Sequence, residues 1–137
     1  MAASSRQPWL RAVVLVGVVY FLIGRGFARP SEHIHAWRLA AWFVSGVVYA
    51  AHIWYEHFRL RNSPRVMASH VALAVAIGAM ALAAAGMIHS LSIRAAIRPV
   101  WLLALVAWPV MTALPAFLVA LVAGAVLPKL TIRENAE

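Results

Sequence analysis

The chain has no cysteine and no aspartate. Without cysteine there are no disulfides, thiolate metal centres or cysteine nucleophiles. Without aspartate, all carboxylate chemistry falls to Glu32, Glu56, Glu134 and Glu137. Charge is scarce as well: 12% of the 137 residues are charged and 64% are hydrophobic, against roughly a quarter and a half in a soluble domain. A chain this short cannot bury so much apolar surface in a water-facing globule. A bilayer removes the difficulty by acting as an apolar solvent. Lysine is almost missing, so the net charge of +8 comes from eleven Arg and Lys129. A basic soluble chain would suggest nucleic acid. Here the cations lie in small groups between apolar blocks, the pattern of loops held at anionic headgroups. The expected partner is the lipid bilayer and not nucleic acid. Abundant Arg and Ala fit a GC-rich bacterial genome, which points to a bacterial inner membrane.

Four blocks are long enough to cross a hydrocarbon core, which takes about 20 helical residues. The expectation is an all-α integral membrane protein, a single domain over 1–137 built as a four-transmembrane-helix bundle with short loops. The helices are expected at about 9–27, 36–58, 66–88 and 100–127. Pro8 suits the first turn of the first helix, and Arg11 and Arg25 lie near its ends, where long side chains snorkel. A signal peptide cleaved after Ala28 is the competing reading of this block. Arg25 next to that site, with bulky Tyr20 and Phe21, argues for a retained span.

Ser31 is the expected N-cap of the second helix, with Glu32 in its first turn. Trp37 and Trp54 near its ends match an aromatic belt. Asn62-Ser63-Pro64 reads as a turn. In the third block Ala74 with Gly78, and Ala81 with Ala85, form small-x-x-x-small faces for close packing inside the bundle. Pro109 and Pro115 fall inside the fourth block and predict a kink or interruption there, with Thr112 between them bonding a nearby carbonyl. Seven cations (Arg6, Arg11, Arg59, Arg61, Arg65, Lys129, Arg133) against five (Arg25, Arg29, Arg38, Arg94, Arg98) place both termini in the cytoplasm.

The second helix carries the most order. His35, Arg38, Trp42, Ser45, Tyr49, His52, Glu56 and Arg59 follow a 3-4-3-4 spacing, one stripe of a slightly supercoiled helix. Ionisable groups facing lipid are costly, so Trp42, Ser45, Tyr49 and His52 are expected to face protein. The stripe reads first as a packing seam and second as a polar path or cleft.

In an antiparallel hairpin of helices two and three, His52 lies level with His70, and His35 with His89. Such pairs suit the axial positions of a b-type haem. Against this, His70 and His89 point about 100° apart on a helix of 3.6 residues per turn. His52 and Glu56 also form an i, i+4 pair able to share a proton or bind a divalent metal. The string through His57 departs by one residue from the H-x-x-E-H protease pattern, and an interfacial ion pair of Glu56 with Arg59 or Arg61 is preferred. Glu32-His33-Ile34-His35 reads as a solvated helix start before it reads as a metal site. The chain shows no phosphate loop, nucleophile elbow or dinucleotide fingerprint.

The leading expectation is therefore non-enzymatic, with no catalytic or metal residues: an accessory subunit or a transporter of a small solute or protons, alone, as a homo-oligomer or in a larger membrane complex. The alternative is a haem-binding redox protein using His52 with His70 and His35 with His89.

Overall fold

A computed structural model describes residues 8–28, 32–92 and 99–134. Every regular element among them is helical: α1 (Pro8–Phe27), α2 (Ile34–Trp54), a π-helical turn (Tyr55–Arg59), α3 (Pro64–Ser92) and α4 (Pro99–Glu134). Among the described residues three helical segments are long and apolar enough to cross a membrane: α1, α3 and the Leu102–Lys129 stretch of α4, with mean hydropathies of 1.8, 2.4 and 2.4. Large apolar side chains of α4 such as Leu103, Val106, Val110, Leu118 and Val122 are more than half exposed. So wide an apolar surface suits lipid and not water.

Prolines mark three helix starts. Pro8, Pro64 and Pro99 each open a helix, where the missing N–H would have had no intrahelical partner. α2 begins differently from expectation. It starts at Ile34, with His33 at the cap position making no side-chain cap bond. Glu32 therefore precedes the helix instead of sitting in its first turn, and Ser31 lies outside the described residues.

α3 is the central element, packed most extensively on α4 and next on α1. Its small residues explain why. A Cβ built on Gly78 would lie 2.6 Å from Tyr20 Cβ and 3.1 Å from the Gly17 carbonyl, and one on Gly17 would lie 3.2 Å from the Ala74 carbonyl. The Ala74–Gly78 face thus serves contact within the chain, bringing the two backbones together. Farther along, Gly24 meets Leu82. The partners advance together along both helices, so α1 and α3 run parallel. At the other α3 interface, Gly124 meets Met67 and Pro64.

α4 is one continuous helix through Pro109, Pro115 and Pro128. Of the expected kink or interruption between Ala107 and Pro115, the helix shows no interruption, and it runs past the expected end at Leu127. Each proline removes one donor, but the neighbouring bonds persist. Thr112 Oγ1 donates to the carbonyls of Trp108 at 2.9 Å and Pro109 at 3.1 Å, a local bond of the kind that Ser and Thr make in membrane helices.

A buried cluster joins the end of α2 to α3 and α4: Ile53, Met67, Ala68, Val71 and Ala120, flanked by Tyr49, Phe117 and Leu121. Among the helices, α2 packs most on α1, with Phe27 and Trp37 in ring contact at 5.7 Å. The N-terminal part of the helix is exposed at His35, Trp37, Arg38 and Leu39.

Candidate functional site

After Trp54 the α-helix widens into the π turn, which carries Glu56. Such wide turns are rare, and they recur at functional sites. The turn closes through Leu60 N–H to the Tyr55 carbonyl at 3.2 Å and Asn62 N–H to the Glu56 carbonyl at 3.3 Å. Arg61 takes a positive φ of 51°, the left-handed conformation that reverses a chain after a helix. This reversal folds Asn62 and the start of α3 back over the carboxyl group of Glu56.

Glu56 is fully buried. Asn62 Nδ2 donates to its Oε2. His70 Nδ1 lies 3.1 Å from Oε1 and 3.0 Å from Oε2. With a carboxylate as acceptor, Nδ1 carries the proton and donates. His52 Nε2 stands 3.6 Å from Oε1, close enough for charge interaction but too far for a hydrogen bond. Neither ring nitrogen of His52 has a hydrogen-bond partner among the described residues, although the side chain is buried. Trp9 closes the outside by stacking on His70, with ring centroids 4.6 Å apart and planes 6° from parallel. A carboxyl group so enclosed is costly to hold charged unless it is paired and hydrogen-bonded, and three side chains surround it here.

This geometry replaces the expected ion pair of Glu56 with Arg59 or Arg61. Both arginines are exposed, and the ion-pair partners of Glu56 among the described residues are His52 and His70. The π turn and the reversal at Arg61 direct the carboxyl inward.

Toward the middle of α2 the helices separate around a cavity of about 600 Å³. α2 contributes Trp42, Ser45 and Tyr49, α1 contributes Tyr20, and α4 contributes Trp108 and Thr112. The Tyr49 hydroxyl donates to the Ala116 carbonyl of α4. His52 follows Tyr49 by three residues, so the cavity wall and the Glu56 cluster lie on adjoining turns of one helix face.

The stripe of α2 divides accordingly. His52 and Glu56 are buried, and Ser45 and Tyr49 half-buried. Trp42 is 80% exposed, which corrects the expectation that it faces packed protein. It borders the cavity, and that part of the stripe overlooks open space. His35, Arg38 and Arg59 are exposed, as is His89 at the far end of α3. Of the paired histidines, the structure brings His52 and His70 onto one carboxyl group. His57 contacts Phe58 edge-on at 4.8 Å. Among the described residues no group of three His, Asp or Glu side chains is arranged to hold a metal ion.

Trp9 and Asn62 escaped the sequence reading. Asn62 was legible only as a turn residue, and Trp9 only as an apolar residue in the first helical turn. The parallel pairing of α1 with α3, which stacks Trp9 on His70, leaves no periodic mark in the sequence. Comparison with protein-family models, curated proteins and solved structures finds no match for the chain.

Proposed function

We propose that this protein is a small proton-coupled carrier, a four-span bundle of the bacterial inner membrane with both termini in the cytoplasm. In this reading α2 is the fourth span. Its 21 residues rise about 31 Å at the standard 1.5 Å per residue, close to the roughly 30 Å of a hydrocarbon core. Exposed Trp37 and Trp54 lie near its two ends, suited to the two headgroup layers.

The observation that carries the reading is a fully buried Glu56 set against two imidazoles, next to a cavity on the same helix. A carboxyl group held away from water is expensive unless it is paired and hydrogen-bonded, so its burial calls for a role. A pure packing role, as in an accessory subunit, needs neither a buried carboxyl group nor an imidazole with both nitrogens unbonded. Glu56 acts as the proton-binding group in this account. His70 and Asn62 hold its charged form by donating to it, and His52 is the neighbour to which a proton passes on the cavity side. α2, which packs less on the central helix α3 than α1 or α4 does, is the element that moves against the others in this reading.

Proton flux into liposomes under a potassium diffusion potential, followed with an entrapped pH dye, tests the proposal. Wild-type protein is expected to admit protons above the empty-liposome leak, and Glu56→Gln to return flux to that leak. Equal flux in wild type and Glu56→Gln overturns it.

A further inference from the structure

The packing gathers cations from several segments at one end of the molecule. Trp9 on His70 sets the start of α1 beside the start of α3. The reversal at Arg61 brings the end of α2 there, and Gly124 against Pro64 adds the later part of α4. Arg11, Arg59, Arg61, Arg65 and Lys129 therefore share this end, and all of them are exposed. None makes an ion pair or a side-chain hydrogen bond among the described residues. Glu56, the acid nearest to them in the chain, is buried and turned to His52 and His70. Like charges collected without a counter-charge repel one another and oppose compact packing. The neighbours of these cations select the anion that relieves them. Leu10 beside Arg11, Phe58 beside Arg59 and Val66 beside Arg65 are exposed at 47%, 44% and 42%. A free phosphate or a nucleic-acid backbone would meet the charges and leave these apolar side chains in water. An amphiphilic anion meets both.

We propose that the turn carrying Arg59, Arg61 and Arg65, flanked by Arg11 and Lys129, binds the headgroup of an anionic phospholipid and that this lipid clamps the cover of Glu56. The assignment rests on the membrane setting of the proposed function and not on proton transport. Guanidinium forks bind phosphate oxygens in pairs and stay charged at every physiological pH. A zwitterionic headgroup carries its own cation beside the phosphate and is drawn less strongly. Each basic residue near an anionic lipid surface strengthens binding about fivefold. The acyl chains cover the apolar neighbours of the arginines. Arg61 immediately precedes Asn62, which donates to the Glu56 carboxyl group. A headgroup held by Arg61 therefore restrains the turn that folds Asn62 over that group.

The full chain in neutral detergent is titrated with dioleoylphosphatidylglycerol or dioleoylphosphatidylcholine, and bound lipids are counted by native mass spectrometry. The first phosphatidylglycerol is expected to bind at least about tenfold more tightly than phosphatidylcholine. Combined Arg59→Gln, Arg61→Gln and Arg65→Gln should erase that advantage. Combined Arg25→Gln and Arg38→Gln, exposed at the opposite end, should keep it. Millimolar inorganic phosphate or a short oligonucleotide should not displace the lipid, since neither covers the apolar side chains. Hydrogen exchange at Asn62, whose N–H donates to the Glu56 carbonyl, should slow several-fold with phosphatidylglycerol and not with phosphatidylcholine. Equal affinity for the two lipids, an advantage that survives the triple substitution, or displacement by phosphate or oligonucleotide would overturn the site. Asn62 exchange indifferent to lipid would overturn the clamp. Should the triple variant fail to fold, salt decides on the wild type: the advantage should fall several-fold at high salt, and a salt-independent advantage overturns the site. None of these measurements uses a proton gradient. Selective lipid binding without proton flux would therefore defeat the carrier reading alone, and unselective binding with intact flux would defeat the headgroup site alone.

Discussion

Trp9 and His70 stack face to face across the start of α1 and the start of α3, with ring centroids 4.6 Å apart. The stack covers the imidazole whose Nδ1 reaches both oxygens of Glu56. It couples a residue in the first turn of one helix to a buried carboxyl group contributed by another.

Removing the cover should loosen the cluster. Trp9→Ala is expected to lower stability by about 1 kcal/mol beyond the lost buried area, the usual worth of an aromatic pair. It should also speed modification of His70 by diethylpyrocarbonate several-fold, since that side chain is only 15% exposed in the wild type. Mass spectrometry of the labelled histidines reads the second effect. An unchanged His70 rate would show that Trp9 does not shield it.

Close approach of α1 and α3 depends on Gly78. A Cβ there meets the Tyr20 Cβ at 2.6 Å, below any normal contact, and Tyr20 Cβ is fixed to backbone. Gly78→Ala is expected to cost about 1–3 kcal/mol, as overpacking does. Gly46→Ala, where a Cβ meets nothing within 4 Å, should be tolerated in the same unfolding titration. Equal losses at the two sites would contradict the packing described.

His52 and His70 both flank the Glu56 carboxyl group, and a haem iron would require the gap that this group fills. Protein purified from haem-supplied cells is expected to show no Soret band in its absorption spectrum. A sharp band lost in both His52→Ala and His70→Ala would establish the haem alternative.

The sequence made the helices legible because spanning length and apolar composition are local properties, and Pro8, Pro64 and Pro99 punctuate them. The pairing of His52 with Glu56 was visible as an i, i+4 spacing, and His70 as a residue of matched depth. Other features depended on tertiary geometry. The widened turn at Tyr55–Arg59 and the left-handed Arg61 turn Glu56 inward, away from the arginines that sequence proximity suggested. Trp42 shares a stripe with His52, yet the helices diverge along it, and one end faces a cavity while the other is packed. The prolines of α4 weaken individual bonds, but continuity of the helix is decided by all the others.

The absence of aspartate permits a direct test of Glu56 as the proton-binding group. With four glutamates in the chain and Glu56 fully buried, the infrared carbonyl stretch of protonated carboxyl groups is simple to assign. Difference spectra should be recorded on the full protein in liposomes as the bath is acidified. One band from a protonated carboxyl group is expected to be missing in Glu56→Gln and to shift slowly in heavy water, as a shielded proton does. A spectrum identical in wild type and Glu56→Gln would contradict Glu56 as the proton-binding group.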